Sequence, residues 1–392
     1  MVIAPDSFGG TLSAVEAATA IAAGWSRAAP ADEVRLFPLA DGGSGFVDVL
    51  HAALGGQLHE VEVTGPVGGG QVTARWLRVE HGAERGGRTV GYLEAAQACG
   101  LQLVAELSPE TARAATSRGV GELIAAACRP THGAGVDELV IGLGGSACTD
   151  GGAGALAALG AAPLDADGRP LPDGGAALSQ ISALAGPPLL SGGAAGRPPR
   201  LVLAADVDNP LLGRHGAAAV YGPQKGADPV TVAELDAALT RWVEVLAAAT
   251  GRDSAELAAL PGAGAAGGLG TALLALGAGR VSGATVVREL TGLDAALDAC
   301  DLVITGEGSF DWQSLRGKLV TSVAQAAAER GLPCVVLAGQ VDVGRREMGA
   351  VGIAEAHSVA EHVGGVPSAL ADPAGTLAEL AASVALQWSG SR

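Results

Sequence analysis

With 392 residues, 48% of them hydrophobic and only 3% aromatic, the chain can bury two domain cores, built largely from Ala, Val and Leu. Its formal net charge of −17 repels phosphate backbones, which excludes nucleic acid as a natural partner. No run approaches the ~20 apolar residues of a membrane helix, and the start Met1-Val2-Ile3-Ala4-Pro5-Asp6 has no basic leader, so a cytoplasmic protein is expected.

The apolar run Val2-Ile3-Ala4 predicts a buried strand that turns at Pro5-Asp6-Ser7-Phe8-Gly9-Gly10. Ser13 and Glu16 have capping-box spacing, so a helix should start there and reach about Arg27. A second strand over Val34–Leu39 leads into Ala40-Asp41-Gly42-Gly43-Ser44-Gly45, and another helix begins at Phe46. Strand, acidic glycine loop and helix in succession are the rhythm of a parallel α/β sheet.

Gln71–Glu80 and Thr89–Leu93 read as a hairpin, followed by a helix near Gly119–Cys128. The apolar strand Leu139-Val140-Ile141-Gly142 runs into Gly144-Gly145-Ser146-Ala147-Cys148-Thr149-Asp150-Gly151-Gly152. Ser191–Pro199 reads as a surface loop, and a strand over Leu201–Ala205 ends in Asp206-Val207-Asp208-Asn209-Pro210. After Gly222-Pro223-Gln224-Lys225-Gly226, Val232, Leu235, Leu239, Trp242, Val243 and Leu246 share one helical face, with Thr231 and Glu234 spaced as a capping box. The parallel rhythm then returns. Leu302-Val303-Ile304 enters Thr305-Gly306-Glu307-Gly308-Ser309-Phe310-Asp311, a helix spans about Lys318 to Arg330, and Val335–Ala338 is a buried strand. The two chain ends are therefore expected to build one open parallel sheet, with a second domain inserted between them.

Several chemistries lack their residues. There is no P-loop, no His-Glu-x-x-His pair, no Cys/His metal cluster and no Gly-x-Ser-x-Gly elbow. The five cysteines, Cys99, Cys128, Cys148, Cys300 and Cys334, are irregularly spaced and odd in number, which points to a reducing compartment and small core residues. Gly262-Ala263-Gly264-Ala265-Ala266-Gly267 matches the dinucleotide fingerprint, and an NAD(P)-binding oxidoreductase is the alternative it raises. A helix-like run, Glu256–Leu260, precedes it where the fingerprint needs a strand. A glycine-rich helix start with close backbone packing accounts for it better.

The recurring feature is an acid beside Gly, Asn or Pro after an apolar run: Asp6, Asp41, Asp150, Asp206 and Glu307. Open α/β sheets bind ligands beyond the carboxyl ends of their strands. Acids there can hold Mg²⁺ together with substrate phosphates or take a proton from an attacking hydroxyl. Lys225 and Lys318, set among glycines, supply the cations that phosphoryl transfer needs.

Taken in order, these stretches resemble the bacterial two-domain glycerate kinase family of the glycerate 2-kinase type. The matching segments are Ile3–Phe8, Ala40–Gly43, Gly142–Gly154, Asp206–Leu211, Tyr221–Ala227, Pro261–Gly270 and Val303–Gly308, with Asp311, Gln313, Gly317 and Lys318. The resemblance implies a flavodoxin-like α/β domain from residues 1–65 and 290–392, with residues 66–289 as an inserted α/β domain. It implies ATP, Mg²⁺ and D-glycerate, with 2-phosphoglycerate as the usual product. By motif position, Asp206, Asp311, Lys225 and Lys318 are the catalytic candidates. Asp206 and Glu307 are the metal candidates, and Asp6, Ser7, Asp41 and Gln313 the substrate candidates. Gly144, Gly145, Ser146, Asp150, Gly264, Gly267 and Gly268 are assigned to the nucleotide. Which acid serves as base and which binds metal stays open, as does a homo-oligomeric state. Three positions depart from the family pattern: Gly9 stands where Lys is usual, Ser44 where Glu is, and Ser309 where Arg is. A kinase of another small hydroxy acid, or a weakly active paralogue, is the reading those departures raise.

Overall fold

The computed structural model describes residues 1–83, 86–129, 135–186, 190, 197–316 and 319–389. Its strands, in chain order, are β1 (Val2–Pro5), β2 (Arg35–Leu36), β3 (Gln57–Thr64), β4 (Gln71–Glu80), β5 (Thr89–Glu94), β6 (Glu138–Gly142), β7 (Pro163–Leu164), β8 (Ala183–Leu184), β9 (Arg200–Ala204), β10 (Gly279–Val281), β11 (Val303–Phe310), β12 (Cys334–Val341) and β13 (Glu355–Ser358). The chain divides into two compact units, one of residues 1–40, 48–54 and 284–392, the other of residues 41–47 and 55–283. No helix among the described residues is long and apolar enough to cross a membrane.

The first unit carries a five-stranded sheet in the order β13-β12-β11-β1-β2, with every neighbouring pair parallel. Side chains alternate across it, as a period of two requires. Val2, Ala4, Val303, Val336 and Ala338 join one apolar cluster, while Ile3, Ile304, Val335 and Leu337 join another. Both faces are thus covered, which is why the strands read as unbroken apolar runs. Helix Leu319–Glu329 packs on the first face, and Ala14–Ala28 with Pro373–Ser389 on the second. The last two touch backbone to backbone, since a Cβ on Gly24 would lie 2.0 Å from the Ala378 carbonyl oxygen. The Ser13–Glu16 capping box forms as its spacing predicts.

By chain position within this unit the strand order is 2-1-3-4-5. The connections leave β1 for β2 on one side and β11 on the other, so the sheet has its topological switch point between β1 and β11. The crevice beyond the carboxyl ends of two such strands is where open α/β sheets take ligands.

The second unit holds a six-stranded mixed sheet in the order β10-β9-β6-β5-β4-β3. The expected hairpin is β4–β5, antiparallel in register Trp76↔Leu93. The preceding strand, β3, was not foreseen. It pairs along its whole length with β4, from Gln57↔Arg78 to Thr64↔Gln71, so residues 57–64, counted with the first domain from sequence, belong to the second sheet. One apolar cluster fills this unit, with Trp242 fully buried and its indole N–H donating to the Gly151 carbonyl at 2.8 Å.

Three local expectations change. The long helix is Pro229–Thr250, capped by Asp228, which accepts from the Thr231 N–H at 2.7 Å. Pro229 at its first position permits the earlier start, and Glu234 pairs with Arg113 instead of closing a capping box. The strand expected over Val34–Leu39 shortens to Arg35–Leu36 at the sheet edge, where β1 pairs with those two residues only. By contrast β11 continues to Phe310, because β12 pairs with it as far as Phe310↔Val341. Residues 191–196 of the expected surface loop lie outside the described residues. All five cysteines are free, and burial pushes the thiols of Cys128 and Cys334 up to about 11 and about 12.

Candidate active site

In the first unit a cavity of about 550 Å³ opens at the switch point. Ser7, Phe8, Gly9 and Thr11 from the loop after β1 form one side, and Glu307, Gly308, Ser309 and Asp311 from the end of β11 another. The two segments are tied together, since the Asp6 N–H donates to the Gly306 carbonyl at 2.8 Å. The backbone is close-packed here. A Cβ on Gly308 would meet the Gly9 nitrogen at 3.0 Å, and one on Gly339 would lie 2.4 Å from the Gly308 carbonyl oxygen.

Asp311 stands directly after β11 in a tight turn. Its Oδ1 accepts from the backbone N–H groups of Gln313 at 2.7 Å and Ser314 at 3.3 Å. The buried Ser314 hydroxyl accepts from the Asp311 N–H at 3.2 Å and donates to the Ser309 carbonyl at 3.4 Å. The carboxylate is therefore fixed in place while the residue stays partly exposed. Glu307 sits inside β11, not beyond it, and is only 7% exposed. None of the described residues lining the cavity is Lys, Arg or His.

In the second unit the glycine loops gather beyond the strand ends of its sheet. Asp41 closes a turn by accepting from the Gly43 N–H at 2.9 Å, and the Gly144 N–H donates to the Gly42 carbonyl at 3.1 Å. Gly42 has φ of +89° and its missing Cβ would lie 2.7 Å from the Ala204 carbonyl oxygen, so only glycine fits. Glu94, at the end of β5 and 3% exposed, accepts from the N–H groups of Gly45 at 3.1 Å and Val47 at 3.0 Å. It caps the open end of helix Phe46–Leu54 and pins the Asp41 loop to the sheet.

Lys225 is 3% exposed. Its ammonium donates to the Cys148 carbonyl at 2.6 Å and lies 3.5 Å from the Ser146 hydroxyl. Burial pushes its pKa below the usual lysine value. Asp150 is fully buried and accepts from the Ser117 N–H (2.8 Å) and hydroxyl (2.9 Å), the Thr116 hydroxyl (3.4 Å) and the N–H groups of Gly152 (3.1 Å) and Gly154 (3.2 Å). Ala266, with φ of +50°, is the one non-glycine residue at positive φ among the described residues. It leads into Gly267, whose missing Cβ would lie 1.9 Å from the Cys148 carbonyl oxygen.

Residues 1–389 match the model of the Glycerate kinase family. The chain belongs to the glycerate kinase family. It is 36% identical over 398 residues to a glycerate kinase of Halalkalibacterium halodurans, covering 100% of this chain and 99% of that one. To a glycerate 2-kinase of Escherichia coli K12 it is 40% identical over 352 residues, 88% of this chain and 86% of the relative. A crystal structure of a protein assigned as glycerate kinase 2 from Salmonella typhimurium LT2 superposes with a TM-score of 0.74 at 36% identity, over 100% of this chain and 98% of that one. Family membership makes ATP the phosphoryl donor.

Within this glycerate kinase family member, the residues singled out from sequence fall into two groups. Ser7, Glu307 and Asp311 line the cavity of the first unit, with Asp6 and Gln313 beside them in the chain. Asp41, Gly144, Gly145, Ser146, Asp150, Asp206, Lys225, Gly264, Gly267 and Gly268 belong to the second unit. The metal candidates Asp206 and Glu307 thus lie in different units, and so do the substrate candidates Asp41 and Ser7. Asp206, two residues past β9, is exposed. Lys318 lies outside the described residues.

The Gly262–Gly267 loop follows helix Ser254–Ala259, not a strand, so the dinucleotide geometry is absent. Three of its N–H groups are spent on backbone carbonyls, Ala263 on Leu260 at 3.0 Å, Gly264 on Asn209 at 2.9 Å and Ala265 on Gly262 at 3.0 Å. Packing explains these glycines: a Cβ on Gly264 would lie 2.3 Å from the Pro210 carbonyl oxygen.

Glu94 was missed from the sequence because Ala95-Ala96 follows it and no glycine marks a turn. The available signal was an acid at the end of an apolar strand. Glu94→Ala strands the buried Val47 N–H and the partly buried Gly45 N–H, so urea unfolding should show a loss of roughly 1–3 kcal/mol, with Glu94→Gln retaining part of it. Equal midpoints for Glu94→Ala and the parent would remove the capping role.

Proposed function

We propose that the protein transfers the γ-phosphoryl group of ATP to a hydroxyl of D-glycerate, giving 2-phosphoglycerate, with the strand ends of the first unit as its chemical centre. The observation that carries this reading is the pairing of a fixed carboxylate, Asp311, with a second acid, Glu307, in a cavity at the sheet's switch point. In the transfer, the glycerate hydroxyl oxygen bonds to the γ-phosphorus as the bond to the bridging oxygen of ADP breaks. The hydroxyl proton passes to the Asp311 carboxylate. Holding that carboxylate by two backbone N–H groups keeps it aimed at the hydroxyl without reorganisation at the moment of reaction.

Among the described residues no group of three or more His, Cys, Asp or Glu side chains could hold a metal. Magnesium delivered with the nucleotide needs only one or two carboxylates beside phosphate oxygens. Glu307 is the carboxylate we assign to it. Bound there, Mg²⁺ would neutralise charge on the phosphates. In the second unit Lys225 serves as a positioning residue that holds the Gly144–Asp150 loop through its carbonyl contact.

The deciding experiment is ³¹P NMR of the product after incubation with Mg-ATP and D-glycerate. A new monoester signal split into a doublet by a single CH proton is expected. A triplet, from coupling to CH₂, would move the product to the 3-position. No monoester with glycerate, but one with another hydroxy acid, would overturn the substrate. That second reading has one observation in its favour, since Gly9 and Ser309 both line the cavity and bring it no charge.

A further inference from the structure

The cavity at the switch point is larger and more apolar than a three-carbon acid requires. Sites of roughly 300–1,000 Å³ enclose ligands of drug size, and this one measures about 550 Å³. Beside the strand-end residues, it is lined by Val359, Ala360, Val366, Ala369, Leu370 and Leu377, from the three helices that follow β13. Leu370 is 55% exposed and Val366 37%, an uncovered apolar strip facing a pocket. Neutral polar groups are interspersed: Thr11, Gln340 and Thr376. The Thr376 hydroxyl gives its proton to the Asp372 carbonyl at 2.8 Å, so it presents lone pairs to a donor. An apolar slot edged by a carboxamide and hydroxyls matches a flat heterocycle carrying ring nitrogens and an exocyclic amine.

We infer that this wall is the nucleoside subsite, with the purine of ATP against Val359–Leu377 and the phosphates directed to the strand ends at Ser7–Gly9 and Glu307–Asp311. The assignment rests on the phosphoryl-transfer reading above and extends it. It places the base in the first unit, away from the glycine loops Gly144–Ser146 and Gly262–Gly268. It also explains the cavity's two halves: the apolar half binds the constant part of the nucleotide, and the polar half does the chemistry.

Photolabelling of the full chain with 8-azido-ATP, followed by peptide mapping, tests it directly. Label that unmodified ATP suppresses should appear in peptides carrying residues 359–377. Label confined to peptides carrying 144–152 or 262–268, or no ATP-protectable label, would overturn the assignment. A second variant checks the same point without a reactive probe. Ala369→Trp fills the slot at a partly exposed position, and should weaken ADP binding measured by calorimetry about tenfold or more while raising KM for ATP. KM for D-glycerate should stay within about twofold, the spread expected of a site not touched. Unchanged ADP affinity with a raised glycerate KM would give the slot to the acceptor and sink the proposal. If the parent protein binds ADP and labels at 359–377 yet forms no phosphoglycerate, the acceptor assignment fails and the nucleoside subsite stands.

Discussion

Asp150→Ala is expected to lower the unfolding free energy by roughly 3–5 kcal/mol, seen as a drop in the urea midpoint at unchanged slope. The carboxylate is fully buried and receives five hydrogen bonds, three from backbone N–H groups that have no route to water. Removing it leaves donors of Ser117, Gly152 and Gly154 stranded, and each stranded donor costs on the order of 1–3 kcal/mol, less where the structure relaxes. Those donors tie the Asp150 loop to the start of helices Arg118–Cys128 and Ala153–Ala158, so the loss falls on the core of the second unit. A change below about 1 kcal/mol, the worth of one ordinary hydrogen bond, would show that water or a neighbouring side chain substitutes.

The pH dependence of this residue has a definite sign. Burial raises the Asp150 pKa, and the hydrogen bonds from Ser117, Gly152 and Gly154 oppose it without winning. A carboxyl whose folded pKa lies above its unfolded value binds its proton more readily in the folded state. Its contribution is then fully present below the unfolded value of about 3.9 and is lost as pH rises through the raised folded pKa. Against Asp150→Asn, which cannot ionise, the parent should therefore lose ground as pH climbs from about 3.5 towards neutrality. Parallel stability curves for the two proteins would contradict the raised pKa.

Much of the fold was legible because it depends on local chemistry. The Ser13–Glu16 capping box, the apolar strands of the doubly covered sheet and the β4–β5 hairpin each carry their signal within a dozen residues. What was not legible depends on partners distant in the chain. β11 runs on to Phe310 because β12 pairs with it, which moves Glu307 from a loop into a strand. β3 exists because β4 lies beside it. Lys225 reads from sequence as a cation set among glycines for phosphoryl transfer, and its burial against the Cys148 carbonyl, a contact spanning 77 residues, has no local signal. The cavity shows the same division: Ser7, Glu307 and Asp311, which line it, stand in motifs visible in the sequence, whereas the helical wall Val359–Leu377 carries no motif and appears only once β13 and the helices after it pack beside β12.

The second large effect is catalytic. Asp311→Asn should lower kcat by about 10²–10⁴-fold, the range that loss of a positioned general base produces, with the KM for ATP changing little. The substitution keeps the acceptor that Gln313 and Ser314 use, because an asparagine carbonyl oxygen can take the place of Oδ1 in both hydrogen bonds. The turn after β11 should survive, so urea midpoints of variant and parent should agree within about 0.5 kcal/mol. That agreement is what makes the kinetic loss interpretable as missing proton transfer and not as a collapsed loop. Asp206→Asn is the matched control from the second unit, an exposed carboxylate two residues past β9. If Asp206→Asn costs more in kcat than Asp311→Asn at saturating Mg-ATP, the base belongs to Asp206. If its loss instead shrinks as Mg²⁺ is raised, Asp206 is a metal ligand. A loss at Asp311 that no Mg²⁺ concentration restores would keep the proton with the carboxylate that the β11 turn holds in place.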